Sequence, residues 1–192
     1  MDTVAMICGV DEAGRGPWAG PVCAGAVILN PSRPIGGLAD SKKLSPKRRS
    51  ALADEIHEMA FACGVGWASA AEIDQLNIRQ ATHLAMRRAI SALGCAPSRI
   101  LIDGNDLPAD LPCPGEAIVK GDQKEICISA ASILAKTARD AVMIEADKTY
   151  PGYGFAAHKG YGTQAHANAL HALGPCPLHR KTFAPVARAL RA

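Results

Sequence analysis

The chain has 192 residues, 48% apolar and 20% charged, which is the balance of a globular protein long enough to bury a substantial core. Its longest uninterrupted apolar run, Val22 to Leu29, is far short of the roughly 18–20 residues of a membrane span. Membrane-embedded and disordered classes are therefore excluded. The formal charge is +3, yet residues 151–192 carry +5 with no Asp or Glu, leaving −2 on the first 150.

In chain order, Val4 to Val10 and Val22 to Leu29 are apolar runs closed by Gly and Pro, and both predict buried strands. Ser45-Pro46 starts a helix in which Leu52, Ile56, Met59 and Cys63 recur at helical spacing until Gly64. Val65 to Ala68 is a candidate third strand. Ile78, Ala81, Ala85, Ala89 and Leu93 give a second helix that stops at Gly94. Arg99 to Asp103 and Glu116 to Val119 predict two more strands. A long alanine-rich helix follows from about Ile126 to Asp147, small-faced enough to lie close on a sheet, and Pro151-Gly152-Tyr153-Gly154 ends it. Thr163 to Leu173 predicts one further helix. Strands that come first and then alternate with helices indicate an α/β class with a mixed sheet. With no repeat and no linker visible, residues 1–192 are expected to form one domain, including a basic helical segment over about 151–192.

Carboxylates stand where the apolar runs stop. Asp11-Glu12 follows the first, Asp103 ends the fourth, and Asp122 comes after the fifth, beyond Lys120-Gly121. Neighbouring strand ends in an α/β sheet lie close together, so acids distant in sequence can converge on one site. Consecutive strand residues point to opposite faces, so Asp11 and Glu12 can share a ligand only if the strand breaks, and Ala13-Gly14 offers that break. Oxygen donors without His or Cys suit hard ions such as Mg²⁺ or Mn²⁺. Taken singly, each acid could equally cap a helix or solvate a strand end.

Gly14-Arg15-Gly16 lacks Cβ atoms at two of three positions and allows close approach of another backbone. Ser41-Lys42-Lys43 places a hydroxyl and two cations in a loop before a helix, which suits a phosphate contact or simply a soluble loop. Tyr161, between Gly160 and Gly162 and beside His158-Lys159, could stack on a sugar or base. Lys159, Arg180, Lys181, Arg188 and Arg191 form either a footprint for a polyanion or an ordinary solvated face. Arg180 is taken with Lys42 and Lys43 as a phosphate contact. His166 and His171 lack zinc-site spacing, and the seven cysteines, an odd number with no C-x-x-C pair, are expected to be small buried hydrophobes in a reducing cytoplasm.

The ordered set Val10-Asp11-Glu12-Ala13-Gly14-Arg15-Gly16-Pro17, Asp40-Ser41-Lys42-Lys43-Leu44, Ile102-Asp103-Gly104, Lys120-Gly121-Asp122, Ser129 to Lys136 and His158-Lys159-Gly160-Tyr161-Gly162-Thr163 resembles bacterial ribonuclease HII from about residue 7 to Val186. The resemblance implies a ribonuclease H-like fold, with a central mixed five-stranded sheet flanked by helices and a helical C-terminal part. It implies a two-metal site at Asp11, Glu12, Asp103 and Asp122, backbone reading of a ribonucleotide 2′-hydroxyl by Gly14, Arg15 and Gly16, and packing of Tyr161 on the sugar at an RNA–DNA junction. Asp140, inside the long helix, is given a structural role. The expected activity is endonucleolytic cleavage 5′ to ribonucleotides in RNA–DNA hybrids or in duplex DNA, leaving 3′-hydroxyl and 5′-phosphate ends, with a role in removing misincorporated ribonucleotides and RNA primers. Only six residues follow Val186, which weighs against the sliding-clamp tail of some relatives. A monomer without membrane partners is expected. A DNA nuclease of the same fold would lack the 2′-hydroxyl reader, and a non-catalytic binding module would have no need of four acids.

Overall fold

Five strands form one sheet in the order β3-β2-β1-β4-β5, and the computed structural model describes residues 6–38 and 43–191. β1 (Ile7–Ala13), β2 (Val22–Ile28) and β3 (Ala62–Ala68) make an antiparallel meander, while β4 (Arg99–Asp103) and β5 (Gly115–Ile118) lie parallel to β1 on its other side. This is the mixed five-stranded sheet expected.

Helices cover both faces. On one lies α3 (Ile78–Ser91), whose Ala81, Ala85, Met86, Ala89 and Ile90 pack on Cys8, Val10, Ala24, Ile100 and Ile102. On the other lies α4 (Ile126–Thr149), whose Ala130, Ala131, Ile133 and Leu134 join Val27 and the buried Leu52 and Ile56 of α1 (Pro46–Met59). Each fully buried Val, Leu or Ile side chain here contributes about 1.5–3 kcal/mol. Both helices approach the sheet at backbone distance. A Cβ on Gly25 would lie 2.4 Å from the Ala131 carbonyl oxygen, and one on Gly66 would lie 2.1 Å from that of Ala85. Gly25→Ala would push α4 off the sheet.

Caps fix the helix ends. The Ser45 hydroxyl accepts from the Arg48 N–H at α1, with Pro46 in the first turn. The Asn77 side chain, at φ 69°, accepts from the Gln80 N–H at α3. α2 (Ala70–Leu76) opens on a capping box between Ser69 and Glu72. Beyond α4 come α5 (Phe155–His158) and α6 (Gln164–Leu173), gathered around Tyr153, Phe155, Met143 and Ala19, and α7 (Ala184–Ala189), which lies against α6.

Several boundaries differ from expectation. β1 does not stop at Val10 but runs on to Ala13, because its ladder to Gly25, Ala24 and Cys23 is made by backbone groups and tolerates charged side chains. Cys63 belongs to β3, not to the helix from Pro46, since Ala62 and Cys63 pair with Ile28 and Val27. α2 has no counterpart among the predicted elements, while α5 and α7 fall within the helical segment expected over about 151–192. Among the described residues no helix is long and apolar enough to cross a membrane.

Candidate active site

Because β1 continues through the acids, strand alternation separates them. Val10 faces α3, so Asp11 turns toward α4, where it is 5% exposed and bonded to Ser132. Its Oδ1 accepts from the Glu12 N–H at 2.7 Å. Glu12, on the opposite side of the strand, lies 3.7 Å from Arg15 and borders a second cavity beside Thr82 and His83 of α3. Asp103, at the end of parallel β4, borders both cavities. Its Oδ1 accepts from the Gly121 N–H at 2.6 Å, which ties it to the 3-10 turn Gly121–Gln123 carrying Asp122. Even so, Asp11, Glu12 and Asp103 all line one cavity of about 430 Å³ at the end of β1. Asp122, nearly buried, borders an adjoining groove with Lys43 and Ser129.

Burial pushes the Asp11 carboxyl well above the usual carboxylate range, and the charges of Glu12 and Asp103 push it further. A hard divalent cation would relieve that repulsion, and an all-carboxylate donor set is the one such an ion prefers. Among the described residues no three acidic, His or Cys side chains close on one point; the acids form an open rim, and they fit the ion by donor chemistry and charge.

The loop after β1 is shaped from behind. Arg180 and Arg139, 0% and 1% exposed, spend their guanidinium donors on backbone carbonyls. Arg180 donates to Gly14, Arg15, Gly20 and Pro21 at 2.5–3.3 Å, and Arg139 to Ala19, Pro21 and Lys159 at 2.9–3.1 Å. The loop's carbonyls therefore turn inward. Burial and the neighbouring Arg139 push Arg180 down to about 9, still charged at neutral pH. The expectation of Arg180 as a surface phosphate contact is corrected by its burial. Lys159 likewise places its ammonium on the Ala156 carbonyl, so the basic segment is less of a surface footprint than its charge suggests. Lys181, Arg188 and Arg191 remain exposed.

Gly14 sits at φ 96°, and a Cβ there would fall 2.0 Å from Arg139 Nε, so both backbone and space demand glycine. At Gly16 a Cβ would meet only Tyr161 Cε1, at 3.7 Å. The Tyr161 ring, 44% exposed, stands at the cavity mouth with Lys136 Nζ 5.9 Å and Arg139 Cζ 6.0 Å from its centroid. Its flanking glycines are jammed against the β1 loop: a Cβ on Gly160 would lie 2.4 Å from the Ala19 carbonyl oxygen, and one on Gly162 would lie 2.1 Å from the Trp18 ring.

Of the remaining expectations, Lys43 is exposed beside Asp122, while Ser41 and Lys42 lie outside the described residues. Asp140 pairs with Arg49 at 3.1 Å and Lys136 at 2.7 Å, and so holds α1 to α4 at the cavity wall. Cys8, Cys23, Cys127 and Cys176 are buried free thiols, the first two pushed up to about 12 by burial. Sequence reasoning missed Ser132, Lys136 and Arg139, although their spacing along one alanine-rich helix face was a visible signal. It also missed Trp18 and the Arg79–Asp106–His83 cluster beside Glu12.

A family model described as ribonuclease HII matches residues 8–186. A ribonuclease HII of Hyphomonas neptunium is 60% identical over 205 aligned residues, covering 100% of this chain and 99% of that protein. Among solved structures, the ribonuclease H2 from Pyrococcus horikoshii OT3 superposes with a TM-score of 0.81 at 25% identity, over 96% of this chain and 97% of that one. Bst-RNase HIII in complex with Mn²⁺ shares the fold, with a TM-score of 0.75 at 19% identity, over 97% of this chain and 70% of the other.

Proposed function

From the premise that the chain belongs to the ribonuclease HII family and is a ribonuclease H, a hydrolase acting on RNA in RNA–DNA hybrids, we propose that it cuts the phosphodiester 5′ to a ribonucleotide, whether in a hybrid or singly embedded in duplex DNA. The products would carry 3′-hydroxyl and 5′-phosphate ends. The observation that carries this reading is the loop after β1, whose carbonyls are drawn inward by Arg139 and Arg180 right beside the acid rim.

With the Gly14 and Arg15 carbonyls committed to the Arg180 guanidinium, the Gly14-Arg15-Gly16 backbone is left to offer N–H donors to an incoming sugar. Only the 2′-hydroxyl tells RNA from DNA at one position. A site built to bond a hydroxyl is left unpaired when the hydroxyl is missing, and that loss supplies the discrimination. Tyr161 packs on the same sugar, and Lys136 adds a positive charge at the cavity. Asp11, Glu12, Asp103 and Asp122 would hold Mg²⁺ or Mn²⁺, as a pair of ions that when bound activates the attacking water and neutralises charge at the leaving 3′-oxygen. Lys43, with Ser41 and Lys42, contacts phosphate. On this reading the protein acts as a cytoplasmic monomer that removes misincorporated ribonucleotides and RNA primers.

The experiment compares a DNA duplex bearing one internal ribonucleotide with all-DNA and RNA–DNA hybrid duplexes, in Mg²⁺, Mn²⁺ and EDTA. Cleavage 5′ to the single ribonucleotide, abolished by EDTA and absent from all-DNA, is expected. Equal cutting of the all-DNA duplex would overturn the reading.

A further inference from the structure

Three histidines of the C-terminal segment are packed on one another beneath the Tyr161 loop. His158 and His166 stack at 4.5 Å between centroids, and His166 and His179 are almost wholly buried with their Nε2 atoms 3.0 Å apart. Hydrogen-bond geometry fixes the proton on each ring. The Cys176 backbone N–H points at His179 Nδ1 at 3.0 Å, and an amide N–H can only donate, so the proton of His179 is on Nε2. That proton faces His166 Nε2, which must accept it. His166 therefore carries its proton on Nδ1 and donates it to the Tyr161 carbonyl at 2.9 Å. The same reasoning applies to His158, whose Nδ1 accepts from the Gly160 N–H at 3.1 Å and whose Nε2–H donates to the Tyr153 carbonyl at 2.8 Å. Each ring is thereby held to a single tautomer.

Such an arrangement excludes a metal role, because the lone pairs of His179 and His166 are already aimed at N–H donors. Mere packing would not require matched tautomers. A second proton on His166 would set two N–H groups head-on across 3.0 Å. Burial pushes both rings down, His179 to about 4, so the relay stays intact at neutral pH. Its last link is the carbonyl of the residue whose ring stands 3.7 Å from the Cβ position of Gly16. The Tyr161 backbone is otherwise held by local bonds, from Thr163 N–H to its carbonyl and from its own N–H to His158, each 2.9 Å.

We propose that His179 and His166 form a one-way hydrogen-bond relay that holds the Tyr161 backbone, and through it the Tyr161 ring, in register with Gly16 at the mouth of the acid cavity. They are positioning residues for cleavage. The inference rests on the reading of Tyr161 as the residue that packs on the sugar.

A double-mutant cycle tests it on a duplex with a single ribonucleotide. His166→Phe keeps the ring and removes both nitrogens; it is expected to lower kcat about tenfold with little change in KM, and to change kcat less than about twofold in a Tyr161→Ala background. His166→Asn, which retains a donor near the Nδ1 position, should recover part of the loss. An equal loss in both backgrounds, or none in either, overturns the proposal. Should His166→Phe melt below the assay temperature, His179→Phe takes its place in the cycle. Independently, long-range ¹⁵N–¹H spectra of the histidines should show His166 as the Nδ1–H tautomer and His179 and His158 as Nε2–H. The opposite tautomer at His166 overturns the relay and leaves the role of Tyr161 standing. An undiminished kcat in Tyr161→Ala alone overturns the sugar-packing reading, and with it the relay's part in cleavage.

Discussion

Two neighbouring regions handle buried charge in opposite ways. At the sheet end, Asp11, Glu12 and Asp103 are crowded so that each disfavours ionisation of the first. Behind the adjoining loop, two buried guanidinium groups are surrounded by backbone carbonyls that accept from every side. The first arrangement disfavours the charged form of a buried carboxyl, a strain that a bound cation would relieve; the second stabilises the fold and shapes the loop. Charge removal should therefore have opposite signs of effect on stability in the two places.

The largest effect expected is on catalysis. Asp11→Asn should lower cleavage by about 10⁴-fold, equivalent to about 5.5 kcal/mol, while the metal-free protein melts at the same or a higher temperature because a strained carboxylate is gone. A fall in melting temperature would break the contrast. Arg180→Met should act the other way, costing about 3–5 kcal/mol in urea unfolding because the Gly14, Arg15 and Gly20 carbonyls lose their guanidinium donor in a dry site, while Pro21 keeps Arg139.

Acid titration sharpens the comparison next. His179 binds its proton less readily in the fold, at about 4 instead of 6.5, so the unfolded chain takes up more protons between those values. Stability from this group is complete above pH 6.5 and declines as pH falls toward 4, by about 3 kcal/mol in total. Asp11 has the reverse sign, since its raised value makes the fold hold its proton more tightly as pH drops. Unfolding measured from pH 7 to 4 in Asp11→Asn should thus show a steeper loss than in the wild-type protein.

Gly16→Ala should leave melting nearly unchanged, since a methyl there meets only Tyr161 in ordinary contact, yet lower cleavage about a hundredfold by blocking the sugar. Gly14→Ala would fail to separate the two effects, because Arg139 fills that space. The smallest effect is on salt dependence of binding by catalytically dead protein. Lys43→Ala should reduce the log–log slope by about 0.9, whereas Arg180→Met, in a folded background, should not change it.

The sequence made parts of this legible for physical reasons. Asp103 was recognisable because an apolar run stops at it, and Tyr161 because glycines on both sides have no packing reason of their own until Trp18 and Ala19 are seen against them. Hydrophobic patterning misplaced the end of β1, since a ladder of backbone bonds continues past the first charged residue. The capping box at Ser69 and Glu72 is legible as S-x-x-E, but α2 has only seven residues, too few to show an apolar period. Arg180 could not be read at all: its partners are carbonyls some 160 residues earlier in the chain, and a carbonyl has the same chemistry whatever residue bears it.

Ser132, Lys136, Arg139 and Met143 follow one another down a single face of α4, and they touch in turn Asp11, the cavity, the Ala19 and Pro21 carbonyls, and the loop at Gly20. Seven helical steps lead from Ser132 to Arg139, about 10 Å of helix. Under the proposed reading this stretch is a gauge: one end sets where the bond breaks and the other where the ribose is felt. A helix does not stretch, and inserting a residue would swing Arg139 about 100° off the loop. The offset between the recognised sugar and the cut is then a constant of the molecule, and different substrates change how often it cuts but not where.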